Sequence, residues 1–379
     1  MIEVQDIFRA HGDGFLSRYS LNRVQMQAYY SILNCRTATL GGHVDVCDNN
    51  ECGFQRISYN SCRNRNCPKC QSMAKEVWIE KQERDLLNVG YYHVVFTVPD
   101  DLNPVFRQNQ ETMYGLFFKA VSETLLELCQ NKKFLGAKPG ITAILHTWGQ
   151  NLMHHPHIHC IVTGGGLTDT KQWRYTRKKF FIPVKVLSAK FRGKFLAYIR
   201  KAGLRFGGPT EDLNNPQTFD SFVSGLYQKS WVTYCKPPFK KASKVIRYLG
   251  RYTHCVAISN NRILKLEDGM ATFNWRDYRD GNKVKEMTIT TVEFISRFML
   301  RVLPAGFRKI RHYGILAPRG KPERIVLCRK LTNTTFTQRD PRGAFDILKE
   351  KLGDKYCICP RCGVGHLMRA SPIPPQHAA

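Results

Sequence analysis

The chain has no apolar run long enough to cross a bilayer and no basic amphipathic segment to anchor it on one, which excludes a membrane role. Its first fourteen residues carry Glu3, Asp6 and Asp13 and lack the apolar core of a signal peptide, so secretion is not expected. No internal repeat of fixed period is present, which sets aside solenoids and propellers. Acidic residues are scarce: 30 Asp and Glu stand against 58 Lys and Arg, a formal net charge of +28. Such an excess is costly to hold compact without a polyanion, and nucleic acid is the expected partner. The setting implied is cytoplasmic and nucleoid-associated.

What is present narrows this further. A chain of 379 residues with 42% hydrophobic composition can bury two or three cores. Fourteen cysteines in a chain that is not secreted point to reduced thiols and metal sites in place of disulfides.

Periodicity predicts helices over 21–34, 72–87, 104–131, 217–231, 243–253 and 292–303. Strands are expected at 91–99, 141–147 and 157–162, with a Lys-Pro-Gly break at 138–140 and Gly164–Gly166 ending the last of them. Asp268-Gly269 and Asp280-Gly281-Asn282 signal turns in a β-rich region that includes 271–275 and 284–288. The fold class is α+β. Four consecutive segments are expected: 1–89, 90–260, 261–356, and a Cys-rich then Pro-rich tail, 357–379, ending in a mobile stretch.

Three motifs carry chemistry. His157-Ile158-His159 lies on an apolar, β-branched strand, so both imidazoles project from one face while Ile158 turns to the other. Two such rings are two corners of a divalent-metal site, though an isolated His-x-His is more often accidental. Cys47-x4-Cys52 and Cys67-x2-Cys70 read as the two knuckles of a structural zinc site, with Cys62, Cys35 and His43 as competing ligands. Cys357, Cys359, Cys362 and His366 form a tighter, second candidate. The interleaved Arg63, Arg65 and Lys69 would touch phosphates. Tyr248 and Tyr252 stand four residues apart on one helical face, with Arg247 and Arg251 beside them. A phenol becomes a competent nucleophile when a metal polarises the phosphate it attacks.

Phe96-Thr97, the histidine motif and the two tyrosines follow one another as in rolling-circle HUH endonucleases. CRTATLGGH at 35–43, SYNSCRNRNCPKCQ at 58–71, HTWGQ at 146–150, Gly164–Gly166 and YLGRYTH at 248–254 resemble the insertion-sequence-ninety-one family of two-tyrosine transposases. The likeness runs from about residue 20 to residue 320, with Asn66 and Thr163 where relatives carry His and Pro. It implies a helical, zinc-ribbon N-terminal domain followed by an HUH-type antiparallel sheet flanked by helices. The implied reaction cuts one DNA strand at a transposon end, forming a 5′-phosphotyrosine and freeing a 3′-OH. Tyr248 and Tyr252 would be the nucleophiles, and His157 and His159 would hold Mg²⁺ or Mn²⁺. Gln150 is the first choice for third ligand, with His146 and His155 as rivals. Arg276, Arg279, Arg301, Arg308, Lys309 and Arg311 would hold flanking DNA, and Trp275, Tyr278 and Tyr313 would stack on unpaired bases. A plasmid replication initiator or relaxase of the same chemistry, or a non-catalytic zinc protein that binds nucleic acid, are the alternatives.

Overall fold

A computed structural model describes residues 1–177, 181–239, 257–277, 280–335 and 357–376, together with positions 250, 343, 346, 347, 349, 350 and 353. The chain divides into two compact units. One comprises Met1–Lys81, His254–Val302 and Gln338–Ala379, the other Gln82–Thr253 and Leu303–Thr337. The four consecutive segments expected from the sequence are therefore regrouped: 254–302 and the C-terminal tail pack with the N-terminal region.

In the first unit, α1 (Val4–Leu16) and α2 (Arg23–Leu33) precede the hairpin β1 (Gly42–Cys47) and β2 (Gln55–Tyr59), and α3 (Pro68–Glu83) follows. Asn22 starts α2 with a reciprocal cap: its side chain accepts from the Gln25 backbone amide (2.9 Å), and the Gln25 side chain accepts from the Asn22 backbone amide (3.0 Å). A second sheet holds β8 (Ile263–Glu267), β9 (Met270–Asp277) and β10 (Lys283–Thr290), and leads into α8 (Thr291–Met299). Asp268 (φ 49°) and Gly269 (φ 72°) are both left-handed, as a two-residue hairpin between β8 and β9 requires. Phe8 of α1 stacks on Tyr29 of α2 and meets Phe298 of α8 edge-on. Part of the C-terminal tail forms β12 (Leu367–Ile373), antiparallel to β1 from Gly42 to Cys47, and residues 377–379 of the Pro-rich end lie outside the described residues.

The second unit is an antiparallel sheet in the order β11-β4-β5-β3-β7, with β6 (Trp173–Tyr175) beside β5. Its strands are β3 (Tyr91–Thr97), β4 (Lys138–Trp148), β5 (His154–Leu167), β7 (Thr233–Phe239) and β11 (Ile310–Gly314). Lys138-Pro139-Gly140 opens β4 and Gly164–Gly166 lie within β5, so neither ends an element as expected. Alternation sorts the strands: Val94 and Phe96, Ala143 and Leu145, and Ile158, Cys160 and Val162 enter one core. That core is closed by α4 (Asn103–Gln108), α5 (Gln110–Gln130), α6 (Val184–Lys201) and α7 (Pro216–Gln228). Phe106, Tyr114, Phe117, Phe118, Phe191 and Phe195 are each under 2% exposed; all but Phe118 interlock ring to ring, and Phe118 meets Phe307. Each such ring contributes about 1.5–3 kcal/mol by leaving water. A last helix, α9 (Lys321–Leu331), belongs to this unit. The residues that alternate with the core set lie on the sheet's other face, and that face carries the histidines.

Candidate functional site

Strand register assembles the histidine site. His146 of β4 pairs with His157 of β5, and His157 pairs in turn with Thr97 of β3. Directly opposed residues in antiparallel strands share a face, so His146, His157 and His159 converge. Their ring centroids lie 4.9–5.2 Å apart, and one ligand nitrogen from each lies within 4.8 Å of the others. One ion about 2.1 Å from each nitrogen needs them no more than about 4.2 Å apart, a sub-ångström closure. The donor set fits a divalent transition ion.

Their surroundings favour the neutral, ligating form. Burial holds the His157 and His159 imidazoles well below their ordinary pKa, and neighbouring imidazoles add to the effect. Nδ1 of His157 donates to the His155 carbonyl at 2.7 Å, which leaves the ring's lone pair on Nε2. Nδ1 of His159 lies 2.9 Å from Nε2 of His93, which stands diagonally across on β3. His93 is buried, and burial followed by the charge of Lys236 brings it down to about 4. Such outer partners orient ligating imidazoles. His93 escaped sequence reading because it is a single histidine in an apolar strand, and only the pairing of β3 with β5 brings it to His159. Tyr234 and Lys236 of β7 share this face as well, opposite Val95 and His93.

The antiparallel register brings His146, a rival of Gln150 for third ligand, to the cluster. Gln150 lies beyond the end of β4 at Trp148, in the turn before β5. His155 is half exposed beside Asp100, 3.5 Å away. His154 on the opposite face is a satisfied core histidine, held by Asn103 (3.0 Å) and Tyr114 (3.2 Å). Tyr248, Tyr252, Arg247 and Arg251 lie outside the described residues, as do Tyr278 and Arg279.

The cysteines group differently from the expected set of Cys47, Cys52, Cys67 and Cys70. Cys35, Cys62, Cys67 and Cys70 form one cluster, and Cys47, Cys52, Cys359 and Cys362 another. The reason is length. Six residues of β1 extend about 17 Å at ~3.3 Å per residue, too far for one ion to span. Cys35 and Cys62 sit near the Gly42–Tyr59 end of the hairpin, where the Arg36 amide bonds the Asn60 carbonyl. Cys47 and Cys52 sit at its turn. In the first cluster Cys70 Sγ lies 3.6 Å from both Cys35 and Cys62. Four thiolates about 2.3 Å from one zinc define a tetrahedron of edge about 3.8 Å, so the site fits zinc closely. The amides of Cys62 and Asn64 approach the Cys35 and Cys62 sulfurs at 3.5 Å. Hydrogen bonding with Cys62 helps draw the Cys35 thiol down to about 7.

The remaining candidates have other partners. His43 lies against Asp45 (3.2 Å) and Arg369 (3.1 Å), His366 lies beside Asp48, and Cys357 lines a cavity with Arg63. Lys69 is paired with Glu3 and hydrogen-bonded to Gln5 at 2.7 Å, so its charge serves the fold. Burial lowers the pKa of Arg65. Arg301 is buried, Arg311 lies over the rings of Phe118 and Phe307, and Tyr313 packs against the helical core.

Comparisons with known proteins match two stretches of the chain. A family model described as a putative transposase matches residues 140–324, and one described as a transposase zinc-binding domain matches residues 7–98. The putative transposase y4qJ of Sinorhizobium fredii is 44% identical over 376 residues, 97% of this chain and 94% of that protein. The transposase for insertion sequence element IS801 of Pseudomonas savastanoi pv. phaseolicola is 27% identical over 314 residues, 80% of this chain and 73% of that one. Among solved structures, a conjugative relaxase TrwC in complex with oriT DNA overlaps 44% of this chain and 72% of its own, with a TM-score of 0.26 and 11% identity. Among the described residues, no helix is long and apolar enough to cross a membrane.

Proposed function

This chain belongs to the insertion-sequence-ninety-one family of transposases with an N-terminal zinc-binding domain, and from that membership we propose that it cuts and rejoins single DNA strands at transposon ends through a phosphotyrosine intermediate. The observation that carries this reading is the convergence of His146, His157 and His159 on one face of the sheet, on two neighbouring strands. Three neutral nitrogens suit Mn²⁺ better than the harder Mg²⁺. When bound, the ion orients the scissile phosphate and draws charge from its oxygens.

The chain's own groups do the rest. The phenol oxygen of Tyr248 or Tyr252 attacks phosphorus as the bond to the 3′ oxygen breaks. The products are a 5′-phosphotyrosine and a free 3′-OH, and the reverse reaction on a second strand rejoins the DNA. Two tyrosines allow two consecutive cleavages. His93 holds His159 in its ligating orientation, and Lys236 adds positive charge on the same face. In the N-terminal region Cys35, Cys62, Cys67 and Cys70 hold the structural zinc, a closed four-thiolate site with no open position for chemistry. DNA is the partner, with single-stranded ends as substrate.

Incubating the full chain with end-labelled single-stranded DNA from the element's ends and Mn²⁺ tests this on a denaturing gel. A covalent protein–DNA adduct is expected from the wild type and none from a Tyr248→Phe, Tyr252→Phe variant. An adduct that survives in that variant, or none from the wild type, overturns the reading in favour of another nucleophile or a non-catalytic protein.

A further inference from the structure

The second cysteine cluster joins parts of the chain that the zinc-binding family model does not unite. That model covers residues 7–98 and so contains Cys47 and Cys52 without Cys359 and Cys362. Yet Cys47 Sγ lies 3.7 Å from Cys362 Sγ, and Cys52 Sγ lies 3.7 Å from Cys359 Sγ. These separations match the edge of about 3.8 Å for a zinc–thiolate tetrahedron and are far from a disulfide's ~2.05 Å. The C-terminal half-site is built as a knuckle. Its Gly363 is left-handed (φ 68°), the Cys359 amide bonds the Gly365 carbonyl at 2.6 Å, and the Gly365 amide approaches Cys362 Sγ at 3.3 Å. A Cβ on Gly365 would stand 2.5 Å from Cys47 Sγ, so the backbone there is shaped to the partner sulfur.

Beyond its backbone pairing with β1, β12 has few side-chain contacts to hold it. Most of its residues are exposed, Met368 among them, and a strand without an apolar face gains little from docking on a hairpin. What its docking delivers is Arg369. That guanidinium joins Arg36, Arg56 and Arg63 around a cavity of about 990 Å³ in which the single carboxylate, Asp45, is engaged by Arg56 and Ser58. Arg36 and Arg63 directly follow Cys35 and Cys62, both with left-handed backbones (φ 57° and 53°). The cavity thus borders the first thiol cluster, while Cys357, Leu367 and Arg369 bring the C-terminal segment to its wall.

We propose that Cys47, Cys52, Cys359 and Cys362 bind a second structural zinc ion, a clasp that fixes β12 on β1 and completes an arginine-lined cavity for the phosphodiester backbone of DNA. The choice of DNA rests on the function proposed above; the metal site does not.

Zinc per chain, measured by elemental analysis on the purified full-length protein, is the first readout. A Cys359→Ser, Cys362→Ser variant should lose about one zinc, and a Cys35→Ser, Cys70→Ser variant another. His157→Ala, His159→Ala serves as the baseline for any ion at the histidines. Unchanged zinc in the Cys359→Ser, Cys362→Ser protein overturns the site. That variant should also bind single-stranded DNA about tenfold more weakly, as should Arg36→Ala, Arg369→Ala, with a shallower salt dependence. Normal affinity in either overturns the cavity's role. Should the cysteine variant aggregate, Cys362→His, which retains a zinc ligand, should recover both zinc and affinity, and failure to recover either counts against the clasp. If only the strand-cleavage reading is wrong, the covalent adduct is missing from the wild type while these losses remain.

Discussion

His146 of β4 and His157 of β5 face each other across one antiparallel rung, their ring centroids 5.2 Å apart. The rung brings His146 to the face that carries His157 and His159. His146→Ala should therefore lower adduct formation at least about 100-fold, as His157→Ala does, while Gln150→Ala costs less than about tenfold. Comparable losses for Gln150→Ala and His146→Ala in a single-turnover cleavage assay would sink this ordering.

His93 lies 2.9 Å from Nδ1 of His159 and would act on the cluster through that ring, as a positioning residue. Losing such an outer partner typically weakens metal binding about 10–100-fold. His93→Phe should raise the Mn²⁺ concentration needed for half-maximal cleavage by that factor and leave the rate at saturating Mn²⁺ near that of the wild type. A fall in the saturated rate with unchanged Mn²⁺ dependence would assign His93 a different role.

Lys69 stands among the arginines of the cysteine-rich loop, yet it is tied to Glu3 and Gln5, and Gln5 in turn bonds the carbonyls of Leu33 (2.6 Å) and Cys35 (2.9 Å). Its amine anchors α1 beside the first thiol cluster. Lys69→Ala should lower unfolding stability by about 1–2 kcal/mol, since it leaves partly buried partners unpaired. DNA affinity should change less than about twofold, because no phosphate contact is lost.

Local patterns were legible in the sequence where periodicity and turn chemistry were strong. The β3 run at 91–97, the His157–His159 strand, the Asp268-Gly269 hairpin and the 103–130 helical stretch all lie where expected. Pairings between distant segments were not. Which strand lies beside which is set by packing over long sequence separations, so His146 could not be placed beside His157, nor Cys359 joined to Cys52, from spacing alone. The strand at 367–373 was missed because its composition resists helix and has no apolar face. Its order comes from backbone pairing with β1, which composition does not record. The helix at 184–201 was missed because lysines and arginines obscure its buried stripe of Leu187, Phe191, Phe195 and Ile199.

Glu127 of α5 lies between Lys190 (2.7 Å) and Lys194 of α6, and these cations hold its carboxyl below the usual value. A depressed carboxylate stabilises the fold above its unfolded pKa, and the gain disappears as pH falls through the lower folded value. The side chain is 44% exposed, so screening limits the effect to about 0.5–1 kcal/mol. Glu127→Gln should thus lower the melting temperature slightly at pH 7, and the difference from wild type should begin to shrink near the ordinary glutamate value of about 4.3 and disappear as pH falls through the lower folded value. A difference that does not shrink at all as the medium is acidified would mean packing, not charge, is responsible.

Gly164 and Gly166 show why the glycine run of β5 is part of the sheet and not its end. The Gly164 amide bonds the Gly90 carbonyl at 2.6 Å, and a Cβ at Gly164 would meet that oxygen at 2.7 Å. A Cβ at Gly166 would meet the Lys138 carbonyl at 2.6 Å. Both obstacles are backbone, which cannot step aside as a side chain can, so alanine must push whole strands apart. Gly166→Ala should destabilise the fold by about 1–3 kcal/mol through this overpacking. Because β4 and β5 carry His146 and His157 on a shared rung, the same shift should weaken Mn²⁺-dependent cleavage even where the protein remains folded. Gly203→Ala, at a position where a Cβ meets nothing within 4 Å, is the matched control and should change neither melting temperature nor cleavage. Equal behaviour of the two variants in denaturant melts would refute the close-approach argument.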